Sequence, residues 1–112
     1  MANNIAFQPT GMTYQVTASN AAANTITITA NTPSNQYLVV NHDQNKPVYI
    51  RISATSANAA VPNSNPQYGI PIPPNTIKVF TGPQCGPNTS SYFSVIADTD
   101  SPAIYVTPGE GL

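Results

Sequence analysis

The stretch Gln36–Ser53, QYLVVNHDQNKPVYIRIS, decides the fold class. Leu38 and Val40 alternate with Tyr37, Val39 and Asn41, and Val48, Ile50 and Ile52 alternate with Tyr49, Arg51 and Ser53. A period of two is the mark of a strand, because successive side chains point to opposite faces. Between the runs lies a polar turn, Asn41–Lys46, closed by Pro47. The stretch therefore reads as a β-hairpin, with Leu38, Val40, Val48, Ile50 and Ile52 as its core-facing set.

Working outward, the same signature recurs. Upstream, Thr25–Thr29 (TITIT) alternates without a break and Tyr14–Thr17 is a shorter run of strand formers. Downstream, Thr76–Gly82 sets Ile77 and Val79 against Lys78 and Phe80, Tyr92–Asp98 is almost continuously apolar, and Ala103–Thr107 is a last strand. Asn31–Asn35, Pro83–Ser90 and Asp98–Pro102 carry turn chemistry. Ala54–Gln67 is a long loop of small residues, and Tyr68–Asn75 is a proline-stiffened extended bridge. No segment holds apolar residues at helical spacing. About seven or eight short strands between Pro/Asn/Gly turns predict an all-β, single-domain antiparallel β-sandwich. Alternation does not separate a jelly-roll from an immunoglobulin-like connectivity. The expected division is an arm over 1–12, a sandwich over 13–107 and a tail over 108–112.

Composition excludes several roles. Charged residues make up 6% of the 112-residue chain, against about 25% in a typical soluble domain. Lys46, Arg51 and Lys78 are too few to neutralise a phosphate backbone or a membrane surface, so neither nucleic acid nor membrane is an expected partner. No apolar run reaches transmembrane length, and residues 1–30 lack the charged and apolar regions of a secretory leader. Such a weakly charged surface has little repulsion to oppose association. Cys85 is alone, so no intrachain disulfide can form, and its Pro/Gly neighbours place it in a loop.

Candidate chemistry is sparse. His42 and Asp43 are adjacent, but neighbours in an extended chain point apart, and no Gly-x-Ser-x-Gly elbow accompanies them. They read as a turn tip. Asp98 and Asp100 could begin a calcium loop, yet the glycine and distant glutamate are missing, and an Asx turn before Pro102 explains both. One His and one Cys, far apart, make no transition-metal site. No catalytic set and no cofactor are expected. Among the tyrosines, Tyr49, Tyr92 and Tyr105 are expected in or beside the core, and Tyr68 is expected to be exposed.

The order of segments carries a resemblance. A QYLVVN strand, a polar turn, PVYIRIS and a long Ala/Asn/Pro loop precede YGIPIPPNTIKVFTG, YFSVIADTD and AIYVTPGEGL. This resembles small all-β virion proteins of tailed bacteriophages, over about residues 36–112 and most clearly at the C-terminus. The resemblance implies a capsid cement or decoration protein. Such a protein binds the major capsid protein between capsomers, often as a trimer, on the outside of a virion whose parts are made in the host cytoplasm. The expected interface comprises Ile5 and Phe7 of the arm, Arg51, Tyr68, Ile70 and Ile72 around the proline bridge, and Leu112 of the tail. A neck or head-fibre component, or a glycan-binding adhesin module, is the alternative; a hydrolase built on His42 stands last.

Overall fold

The computed structural model describes residues 7–59, 68–97 and 102–110. Within them run β1 (Gln8–Pro9), β2 (Tyr14–Thr17), β3 (Asn24–Ile28), β4 (Ser34–Asn41), β5 (Val48–Ser53), β6 (Ile70–Ile72), β7 (Thr76–Cys85), β8 (Ser91–Ala97) and β9 (Ala103–Glu110). The strands form two antiparallel sheets. The first has the order β1-β9-β4-β7, with β2 also on β9, and the second has the order β3-β8-β5-β6. This is the expected β-sandwich.

The pairing has a simple rule. β2 lies on β9, β3 on β8, β4 on β7 and β5 on β6. The chain is thus one long two-stranded ribbon, folded at β5–β6 and then rolled. Rolling adds the β4–β9 and β5–β8 contacts that close the sheets. A rolled ribbon of eight strands in two sheets is jelly-roll connectivity.

That topology corrects the hairpin reading of Gln36–Ser53. β4 and β5 do not pair; they lie in different sheets, and the turn between them is a corner that crosses the sandwich. Asn41, fully buried at the end of β4, holds this corner. Its side-chain amide donates to the carbonyls of Lys46 at 3.0 Å, Pro73 at 3.2 Å and Ile72 at 3.3 Å, while its oxygen accepts the Asp43 N–H at 3.2 Å. The β4–β5 corner is thereby tied to the β6–β7 corner. Asn75, at φ 56°, adds an amide bond to the Asp43 carbonyl at 2.8 Å. Asparagine tolerates this left-handed conformation better than most residues.

The core-facing phase of β4 is also the reverse of that expected. Tyr37, Val39 and Asn41 are buried, and Leu38 and Val40 lie on the outer side, half-buried. Both phases are apolar, so alternation alone could not choose. Polar chemistry decides: Asn41 must reach the corner carbonyls, and the Tyr37 hydroxyl must reach Pro83 and Ser91. Val48 and Ile50 are fully buried and Ile52 packs against them as expected, joined by Ile28, Ile72, Phe93, Val95, Ile104 and Val106.

Sheet ends depart from the expected boundaries. β7 continues through Pro83 to Cys85, so Cys85 is a buried strand residue and not a loop residue. A register shift lets Gln36 face Thr81 and Ser34 face Cys85, and Pro83 sits in the bulge so formed. An edge-strand bulge is where a sheet accepts proline. Pro108, Gly109 and Glu110 belong to β9 and are not a tail, and the arm docks at Gln8–Pro9 on the same strand. Phe7 lies across Gly109, where a Cβ would come within 2.3 Å of its ring and 2.6 Å of the Gln8 carbonyl. Gly109→Ala is therefore expected to lift β1 from β9. Exchange of the Thr10 amide, bonded to the Pro108 carbonyl at 3.1 Å, should quicken at least tenfold; about 1.4 kcal/mol of local opening corresponds to that factor. An unchanged Thr10 amide would show that the arm is held by something other than this contact.

Candidate interaction surface

The ionisable groups of the β4–β5 corner serve the turn. Asp43 accepts the amides of Asn45 at 2.8 Å and Lys46 at 2.9 Å. The Asn45 bond above all, helped by that of Lys46, holds its carboxyl below the ordinary value against an opposing desolvation. His42 points outward at the tip and is exposed. Among the described residues, no group of three or more His, Cys, Asp or Glu side chains converges. Every buried side-chain nitrogen or oxygen there has a hydrogen-bond partner. Asp98 and Asp100 lie outside the described residues.

The sites expected around the proline bridge are partly brought together. The Arg51 guanidinium stacks over the Tyr68 ring, 3.9 Å from its centroid, and donates to the Asn58 carbonyl at 3.3 Å. Such a cation–π contact at an exposed site contributes about 0.5–1 kcal/mol. Tyr68 and Ile70 are exposed and flank a shallow recess of about 250 Å³ with Arg51 and Ser53. Ile72 does not belong to this surface. It faces Val48 across the β5–β6 ladder and is 1% exposed, a core residue. Phe7 is half-buried against its own sheet. Ile5 and Leu112 lie outside the described residues.

The outer sides of the two sheets differ sharply. On the β3-β8-β5-β6 sheet, the segment after β5 folds back as a cover. The Ala59 amide donates to Ser94 Oγ at 2.8 Å, and Thr25 Oγ1 donates to Asn58 Oδ1 at 2.8 Å and to Ser94 Oγ at 3.0 Å. Ser94 and Ala59 are consequently buried although Ser94 points away from the core. Tyr49 and Tyr92, also on this side, are half-buried beside the core and not within it.

Among the described residues no such cover lies over the middle of the β9-β4-β7 sheet, and Phe7 lies over its Gly109 end. There Ile77 stands opposite Val40, which stands opposite Tyr105, and Val79 stands opposite Leu38, which stands opposite Thr107. Ile77 is 67% exposed and Val79 is 47% exposed. Gln15 adds its amide to the Tyr105 hydroxyl at 3.5 Å, and Thr13 and Thr107 share a hydroxyl bond of 2.7 Å. Among the described residues this face has no charged side chain: Lys78 pairs with Val39 and so lies on the inner side of the edge strand. Ile77 and Val79 on β7, with Tyr68 and Ile70 before and on β6, are among the most exposed large apolar residues described. Sequence reasoning had missed the face. Its signal was the unbroken apolar run Tyr37–Val40, since a strand apolar in both phases is one buried on both sides.

Searches against protein-family models, curated proteins and solved structures gave no match to this chain.

Proposed function

We propose that the protein is a structural component of a tailed-bacteriophage particle, of the capsid cement or decoration type, which binds the major capsid protein between capsomers and stabilises the shell. The observation that carries this reading is the exposed apolar face of the β9-β4-β7 sheet, uncharged among the described residues, on a sandwich whose described buried side-chain polar atoms all have hydrogen-bond partners. A contiguous apolar face on a small domain marks a surface that another protein covers. The segment order Gln36–Leu112 and its likeness to small virion proteins supply the rest of the argument. The protein acts here by occupying surface, with no bond made or broken. Resistance to the pressure of packaged DNA then comes from added interface across capsomer junctions.

The test is made on the particle. Purified virions are expected to carry the protein in hundreds of copies over the shell, and particles lacking it should release DNA at a lower temperature than complete ones. Absence from purified particles removes the reading. A handful of copies at one vertex instead supports the neck or head-fibre alternative. The exposed Tyr68 ring above Arg51 also favours examining the adhesin alternative; glycan-array binding abolished by Tyr68→Ala would establish it.

A further inference from the structure

We infer that Lys78 guards the free edge of β7 and keeps that edge from adding a strand of a second copy to its sheet. The inference concerns the backbone edge of the strand and does not rest on the particle role proposed above, which uses the outer face.

A local misfit calls for it. Lys78 stands opposite Val39, a fully buried core residue, and shares its phase of β7 with Thr76 and Phe80. Phe80 packs against the core, so this is the inner side of the strand. Such a position ordinarily holds an apolar residue. Here it holds one of the three basic residues of the chain, and the side chain is exposed. Among the described residues no ion pair, side-chain hydrogen bond or ring contact accounts for the ammonium. A residue that breaks the local pattern without a compensating contact points to a role outside the fold itself.

The edges of the two sheets show what that role is. β1 and β2 have two and four residues, β3 has five, and β6 has three with Pro71 in the middle. Short strands and proline are themselves protection against stray pairing. β2 and β3 are further tied together, by the Asn24 amide on the Thr17 carbonyl and by the Thr29 N–H on the Tyr14 hydroxyl at 3.2 Å. β7 has ten residues, with β4 on one side and, among the described residues, no strand on the other. Pro83 and the bulge opposite Ser34 and Gln36 interrupt its second half. That leaves Thr76–Thr81, TIKVFT, where every residue except Lys78 is a good strand former. An added strand would set its inner side chains beside Lys78 and shut water away from the ammonium. Burying a charge without a partner is strongly unfavourable. Two β7 strands paired over this stretch would also bring their lysines together on one side, and like charges on facing strands repel. An inward-pointing charge on an edge strand is therefore a barrier to a neighbour, tolerable only while the edge stays open to water.

Lys78→Val completes the inner phase with a strand-forming residue and is the first test. Compared with the wild type at equal concentration, its sedimentation should show added species of larger mass that grow with concentration. In those species the Thr76–Thr81 amides should exchange at least about tenfold more slowly than in the wild type. Lys78→Glu keeps a charge at the position and should match the wild type in both measurements. A Lys78→Val protein with the wild-type mass and exchange overturns the inference. Added mass without slower exchange on β7 also overturns it, because the contact then lies elsewhere, as does a Lys78→Glu protein that associates like Lys78→Val. Wild-type β7 amides that slow with rising concentration overturn it too, since the edge then pairs in spite of the lysine. Should Lys78→Val not fold, Lys78→Thr removes the charge with a residue type already present on the strand and is read by the same two measurements.

Discussion

Replacing Asn41 with leucine should lower the stability of the fold by about 3 kcal/mol, a large part of the ~5–15 kcal/mol that holds a domain together. The shape is nearly conserved, so the effect isolates the polar chemistry. Two amide protons of Asn41 are shared among the carbonyls of Lys46, Ile72 and Pro73, and its oxygen takes the Asp43 amide. Leucine leaves all four backbone groups to find other partners in a buried corner, and each unmet group costs about 1–3 kcal/mol, without simple additivity. The melting temperature should fall by about 15 °C for a domain of this size. Asn41→Asp should be worse still, because it sets a carboxylate against carbonyl oxygens in a site sealed from water. A leucine variant within about 0.5 kcal/mol of wild type, the range of an ordinary surface substitution, would mean that the two corners are held without this clip.

The second large effect is alkaline. Burial pushes the Tyr37 phenol well above its ordinary value; its bond to Ser91 pulls the other way, and neighbouring Cys85 adds to the rise. A group whose folded value is raised lends stability that is complete below its unfolded value, about 10 for tyrosine, and drains away as pH climbs past it. The unfolded chain can then ionise while the folded chain cannot. Urea midpoints should thus hold steady in this respect at neutral pH and fall steeply above about pH 10. Tyr37→Phe removes the hydroxyl from Pro83 and Ser91. It should lose about 1–3 kcal/mol at neutral pH yet show a shallower alkaline decline. If the two proteins decline in parallel, Tyr37 is not the group responsible.

Most of the architecture was legible in local pattern. Thr25–Thr29, Val48–Ser53 and the Tyr92–Asp98 run could only be strands, and the corresponding elements formed with small boundary shifts. What alternation does not encode is the partner of a strand. Gln36–Ser53 had every local property of a hairpin, and its halves separated into two sheets because the corner between them is held by contacts from Ile72 and Pro73, more than thirty residues distant. The choice of inner phase in β4 was hidden for a related reason. Leu38/Val40 and Tyr37/Val39 are equally apolar, and the decision rests on a tyrosine hydroxyl and an asparagine amide whose partners are remote in sequence. At the candidate surface, Tyr68 and Ile70 were recognisable from proline-enforced extension, while Ile72, on the same side of β6 as Ile70 under the period-two rule, is buried opposite Val48 and Ile70, at the start of the strand, is left exposed. Ile77 and Val79 were assigned to one side of their strand in the sequence, but only the neighbours in β4 reveal that the side is the outer one.

The place of β9 has a consequence for how the protein is made. β9, the last of the described strands in chain order, is an interior strand of its sheet, with β4 on one side and β1 and β2 on the other. Until it leaves the ribosome, β1 and β2 have no ladder to join, and β4 has β7 on one side and an open edge on the other. Completion of this sheet is therefore governed by the search for distant partners, the regime in which β-proteins take milliseconds to seconds. A nascent chain halted between Ala97 and Ala103 would have the strands of the other sheet but lack the one that joins its beginning to its middle. Expression at reduced temperature, or with chaperones that bind extended apolar segments, should raise the soluble yield by acting during that interval.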